Sequence, residues 1–195
     1  MTHINKSKKE INSKILLIGG QKCGKKTTLQ AIFSQTTPEI KNPKITLTKD
    51  NTKSPFKFLP ISSGFIKDYH LKIHLYTLPT SNIYESTLSM LTENLDGIIY
   101  LIDSQIDSLI NNEEYIKTVK NKLAKRSIDI DSLVQIFQYN KRDLKNTIPT
   151  HLLHEHFNSK NHPEIETVAT KGIGTLKIIE KISHQLSKNI SPLLN

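Results

Sequence analysis

The 195-residue chain has no tryptophan, a single cysteine, and only two arginines, Arg126 and Arg142, among its 27 basic residues. One cysteine excludes an internal disulfide. Two arginines argue against a specific nucleic-acid reader, because the planar forks that grip phosphates and base edges are nearly missing. No apolar run approaches the roughly 18 residues of a membrane span, and the polar opening MTHINKSKKE lacks the apolar core of a secretion signal. Thr2 stands where myristoylation needs glycine, and SPLLN is not a prenylation box. The expectation is a cytoplasmic protein with no membrane insertion and no specific nucleic-acid partner. What the chain does carry is a formal charge of +9 and 36% hydrophobic residues. The charge permits attraction to anionic surfaces, but the lysines are spread along the whole chain and read as a solvated basic face. Length and apolar content suit one domain over 1–195, with a core at about 13–188.

KILLI, residues 14–18, is a short apolar run ending in Gly19-Gly20, the pattern of a buried strand feeding a tight loop, and a helix from about Thr27 to Ser34 follows. Prolines 38, 43, 55 and 60 make Thr36 to Pro60 read as irregular or edge structure. From Tyr69 to Leu78, Leu71, Ile73 and Leu75 alternate with His70, Lys72 and His74, the pattern of a half-buried strand. DGIIYLID (96–103) is expected to be a central parallel strand, followed by a polar helix over about 111–125. LVQIFQYN (133–140) and EIETVAT (164–170) give two more strands before a terminal helix over about 175–187. Strands alternating with helices imply an α/β fold: a mostly parallel sheet with helices on both faces.

In such folds ligands bind beyond the carboxyl ends of the strands. After the first buried run comes GGQKCGKKTT, which fits the phosphate-binding pattern G-x-x-x-x-G-K at Gly19, Gly24 and Lys25. Glycines there let backbone N–H groups approach phosphate oxygens, and Lys25 can reach the terminal phosphates. After the 133–140 run comes NKRD, which resembles the guanine-reading N-K-x-D element of small GTPases; the resemblance implies that Asp143 accepts hydrogen bonds from N1–H and the exocyclic amine of guanine. Adenine offers neither, which would leave the carboxylate unpaired at a cost of about 1–3 kcal/mol. After the last run comes ATKG, with Ala169, Thr170 and Lys171. Each signal alone is also compatible with a charged turn; their order and their common position after strands favour one guanine site.

From Ile4 to about Leu186 the chain resembles the bacterial Ras-like GTPases of the MglA type. The matching stretches are KEINSKI before the first strand, CGK and LQ around the loop, FLP at 58–60 and LYTLP at 75–79. Further along are DG at 96–97, DSQ at 103–105, QYNKRDL at 138–144 and ATKGIG at 169–174. The resemblance implies a three-layer P-loop NTPase (Ras-like) fold, binding of GTP and GDP, and a role in cell polarity and gliding motility. It also implies a Roadblock-type, MglB-like regulator and polar effector proteins.

The chain departs from the family at the catalytic end. The family's second switch, T-V-P-G-Q, is TLPTS here, so Thr80 replaces the phosphate-sensing Gly and Ser81 the water-positioning Gln. In the first switch, Lys53 and Ser54 stand as counterparts of an Arg-Thr pair, with Thr52 a further hydroxyl. Lys26 occupies the position whose hydroxyl normally ligates Mg²⁺, and an ammonium cannot ligate a cation. Thr27 or Ser54 is then the remaining candidate ligand, and Mg²⁺ dependence is in question. Lys26 has two readings: it supplies positive charge in place of the metal, or it turns outward. The expectation is a guanine-nucleotide-binding protein with weak or no hydrolysis. The rivals are a slow, partner-activated GTPase and a nucleotide-free interaction module. His151, His154 and His162 invite a metal reading, and KTVKNKLAKR (117–126) an acidic-partner or membrane-facing one; solvated helix surfaces account for both. Cys23 reads as a packing residue.

Overall fold

The computed structural model describes residues 2–36, 57–78 and 85–194. Seven strands are present: β1 His3–Asn5, β2 Glu10–Ile18, β3 Lys57–Ile66, β4 Tyr69–Thr77, β5 Leu95–Asp103, β6 Val134–Asn140 and β7 Glu164–Glu166. The five helices are α1 Lys25–Gln35, α2 Glu85–Thr92, α3 Leu109–Ala124, α4 Thr150–Phe157 and α5 Thr175–Ile190. The strands form one sheet in the order β3-β4-β2-β5-β6-β7. β2 runs parallel to β4 and β5, β5 to β6, and β6 to β7; β3 pairs antiparallel with β4 at one edge. β1 pairs antiparallel with Glu10–Asn12 of β2, on the stretch before β5 joins at Lys14.

Strict alternation sorts the side chains of β2 onto two faces. Ile11, Ile15 and Leu17 pack with α1 and α5 through Leu29, Ile32, Ile178, Ile182 and Leu186. Leu16 and Ile18 pack with α2, α3 and α4 through Leu88, Leu91, Val119 and Leu153. This is the mostly parallel α/β sheet covered on both faces that the strand and helix order predicts, consistent with the P-loop NTPase fold that the resemblance implies. β4 follows the predicted alternation, with Leu71, Ile73 and Leu75 buried and His70, Lys72 and His74 half-buried.

The boundaries differ in instructive ways. α1 begins at Lys25, two residues before the expected start, because the Thr28 amide already donates to the Gly24 carbonyl at 2.8 Å. β7 stops at Glu166 instead of running to Thr170, because the backbone turns: Val168 bridges to Ile173 and Ala169–Lys171 close a 3₁₀ turn. β3, placed by its prolines in irregular or edge structure, is an edge strand from Lys57 onward. Among the described residues no helix is long and apolar enough to cross a membrane.

Candidate functional site

The loops after β2, β6 and β7 meet at the carboxyl end of the sheet. Gly24 holds φ +112°, a conformation that disfavours any side chain, and a Cβ there would overlap the Asn140 amide. That conformation turns the chain into α1 with the loop backbone curled inward. Lys25 folds back over the loop: its Nζ donates to the Gly19 carbonyl at 2.6 Å and the Gly20 carbonyl at 3.0 Å, and lies 5.3 Å from the Tyr115 ring centroid. Burial lowers the Lys25 pKa below its usual value, while the neighbouring Cys23 pulls the other way. Cys23 is buried, and burial pushes its thiol up, which suits packing rather than reactivity.

Asn140, 2% exposed, joins the pieces. Its Nδ2 donates to the Cys23 carbonyl at 2.9 Å. Its Oδ1 accepts from the Ala169 amide at 3.1 Å and the Thr167 hydroxyl at 3.0 Å. Behind it, Gln138 Nε2 donates to both Thr28 Oγ1 and Thr167 Oγ1 at 3.0 Å. One amide side chain therefore sets the spacing between the G-x-x-x-x-G-K loop and the two turns expected to read a base.

Lys141 holds φ +65° and its Nζ pairs with Asp103 Oδ2 at 2.6 Å. The Asp103 side chain is only 3% exposed, so the ammonium neutralises a buried carboxylate. Asp143 lies 3.7 Å from the Lys171 ammonium, with its carboxylate partly open to solvent.

A cavity of about 180 Å³ opens between these elements. Lys22, Gly24 and Thr27 line one side; Asn140, Lys141, Asp143 and Leu144 line another, and Ala169 and Thr170 complete it. Seven predicted residues thus come together: Gly24, Thr27, Asn140, Lys141, Asp143, Ala169 and Thr170. Gly19, Lys25 and Lys171 are not among the lining residues; Lys25 is bonded to the Gly19 carbonyl and Lys171 lies beside Asp143. Lys26 is exposed and is not part of the wall. Lys53, Ser54, Thr80 and Ser81 lie outside the described residues, as does Thr52.

The sequence reading missed Thr28, Gln138 and Thr167, the buried polar layer beneath the cavity, and Asp103. Gln138 and Asp103 sit inside quoted family stretches, at 138–144 and 103–105, and carried no role there. Among the described residues no group of three or more His, Cys, Asp or Glu is placed to hold a metal ion. His154 is engaged by Glu164 at 2.8 Å and Asn161 at 2.9 Å.

A guanine nucleotide fits this donor set: a side-chain-free cradle at Gly24, a cavity reaching Asp143, and backbone N–H groups at a helix start. Mg²⁺ does not fit position 26, where an exposed ammonium replaces a hydroxyl; the neighbouring Thr27 brings a hydroxyl to the described wall.

Fold and loops together define the small-GTPase class of P-loop protein. No protein-family model matches the chain. It is 36% identical over 186 residues to the Mutual gliding-motility protein MglA of Myxococcus xanthus, covering 93% of this chain and 95% of that one. The chain belongs to the MglA-type small GTPases.

Proposed function

We propose that this single-domain chain binds GTP and GDP in the cavity between the Gly19–Thr27 loop and the turns at Asn140–Asp143 and Ala169–Lys171. In this reading it hydrolyses GTP weakly or not at all and acts as a regulator or scaffold in cell polarity and gliding motility, in the cytoplasm. The observation that carries the binding site is Asn140, which holds the Cys23 carbonyl and the Ala169 amide at once. Phosphate loop and base-reading turns are thereby kept in one register.

Each residue then has a task. Gly24 keeps the loop backbone close to the phosphates. Lys25 exchanges the Gly19 and Gly20 carbonyls for terminal phosphate oxygens. Asp143 accepts from the guanine N1–H and amine, with Lys171 and Thr170 at the base edge. The Lys141 stem lies along the base while its head stays on Asp103. Lys26 adds positive charge at the mouth, leaving Mg²⁺ a small contribution or none. Lys53, Thr80 and Ser81 replace groups that normally serve hydrolysis. Family membership supports a Roadblock-type, MglB-like regulator and polar effectors as partners, and the relative's printed name supports a link to gliding motility.

The nucleotide-free module is the second reading, favoured by the loop satisfying its own lysine through Gly19 and Gly20. Extraction and chromatography of nucleotide copurifying with the chain separates the two. Guanine nucleotide at near-stoichiometric amounts supports binding. Its absence, together with no calorimetric binding of GTP or GDP with or without Mg²⁺, overturns it. Single-turnover hydrolysis alone and with the regulator then distinguishes a silent site from a slow, partner-activated GTPase.

A further inference from the structure

At the opposite end of the sheet two turns lie side by side. The β1–β2 turn carries Lys6, Lys8 and Lys9, and the β3–β4 turn carries Lys67 and Asp68. They are fastened together by Lys9 Nζ on Asp68 Oδ2 at 2.6 Å and by the His70 amide on the Lys9 carbonyl at 2.8 Å. Glu10 is taken by Lys72 at 2.6 Å. The lysine contacts hold the Asp68 and Glu10 carboxyls below their ordinary range. Among the described residues of the β1–β2 turn, Lys6, Lys8 and Lys9 meet only Asp68 across the gap, and positive sign prevails there.

From this basic surface projects Phe65, 72% exposed. Its exposure is built into the backbone. Ser62 pairs with Lys72 and Phe65 with His70, so β3 carries one extra residue there, with Gly64 at φ +79°. One extra residue inverts the side-chain parity of a strand. Leu59 and Ile61 face the core before the bulge and Ile66 faces it afterwards, which turns Phe65 outward. Without the bulge Phe65 would follow Ile61 inward and Ile66 would be expelled. Among the described residues the one ring contact of this aromatic, which sits at the end of β3 beside the turn, is the His70 ring at 5.2 Å, so its exposure is not explained by packing there.

We propose that these two turns form a peripheral docking surface for an anionic lipid bilayer, with Phe65 seated at the headgroup level and Lys6 and Lys8 against lipid phosphates. Lone aromatics ringed by lysines match an interface that is apolar below and negatively charged above. The lysines of this surface lack the forked geometry of base readers. β2 and β4 run from these turns to the phosphate loop, so the nucleotide cavity lies roughly 30 Å away and faces outward from the bilayer. The proposal does not depend on whether nucleotide is bound.

Flotation of the full chain with vesicles of phosphatidylcholine, and of phosphatidylcholine with phosphatidylglycerol in equal parts, tests it. Binding to the second and not the first is expected, weakening with added salt. Lys6→Glu with Lys8→Glu should reduce that binding by about tenfold or more, and Phe65→Ala should reduce it while leaving thermal unfolding unchanged. Because the chain has no tryptophan, Phe65→Trp places a single reporter at the tip; a blue-shifted emission on anionic vesicles supports seating. Equal binding to neutral vesicles, full binding by the charge-reversed variant, or an unshifted emission would overturn the proposal. So would equal binding to an oligonucleotide or polyglutamate under the same conditions, which would mark a general polyanion surface.

Discussion

Asn140 on β6 and Cys23 on the phosphate loop are 117 residues apart in the chain and joined by one hydrogen bond of 2.9 Å. The same Asn140 side chain also receives the Ala169 amide, so three loops share a single buried amide as their common reference point.

Asn140→Ala leaves the Cys23 carbonyl, the Ala169 amide and the Thr167 hydroxyl without that partner. Losing buried hydrogen bonds of this kind costs about 1–3 kcal/mol. Urea unfolding should show that loss, and guanine-nucleotide affinity measured by calorimetry should fall further than stability alone accounts for. A stability loss with unchanged affinity would separate Asn140 from the site.

Gly24→Ala puts a Cβ into the Asn140 amide and onto a φ of +112°. The expected cost is about 1–3 kcal/mol of stability, read by thermal unfolding. Asn140→Gly in the same chain relieves the overlap but not the backbone strain, so the double variant should lose less than the sum of the two single losses.

Lys26→Thr changes an exposed side chain outside the cavity wall. Stability should stay within about 0.5 kcal/mol of the parent. Nucleotide affinity should gain Mg²⁺ dependence, more fully when combined with Thr80→Gly and Ser81→Gln. Calorimetric titrations with and without Mg²⁺ check this; no gain would count against Lys25 as the phosphate lysine.

Stability should carry a pH signature from His154 and Glu164. The Glu164 hydrogen bond raises His154 above the ordinary 6.5, so its contribution is complete below about pH 6.5 and is lost as pH rises through the folded value. Burial pushes Glu164 up, but hydrogen bonds from His154, Asn158 and Tyr139 outweigh it and hold the carboxyl below 4.5. That part is present above pH 4.5 and is lost as pH falls. Burial lowers His74 and His162, which contribute a slope of opposite sign. The informative quantity is therefore the difference in urea midpoint between the parent and His154→Gln. It should be largest between about pH 4.5 and 6.5 and shrink above that window.

Much of this architecture was legible in the sequence because period and burial coincide. β4 alternates, β5 is a continuous apolar run, and β6 is buried throughout although it carries Gln135 and Gln138. β1 was not, since three residues, HIN, hold no periodic signal and pair only because β5 joins β2 late. β7 was read too long because Val168 and Ala169 look strand-like, while the Asn140 and Ile173 contacts that turn the chain are long-range or backbone in nature. At the site, Gly24, Asn140 and Asp143 were legible because their chemistry demands a residue type at a fixed spacing. Thr28, Gln138 and Thr167 were not, because a buried amide between two hydroxyls has no local pattern. Lys26 is exposed, and the spacing leaves open whether it stands in for the metal's charge or turns outward.

The three residues of β1 do more than extend the sheet. β2 is flanked by β4 along its length but meets β5 only from Lys14 onward, and β1 occupies the vacant side at Glu10–Asn12. A chain starting after Asn5 would present that short stretch of backbone donors and acceptors as an open sheet edge beside Ile11. Such edges recruit strands from other molecules. β1 covers that edge, so a tag or truncation there is expected to alter solubility before it alters the cavity at the other end of the sheet.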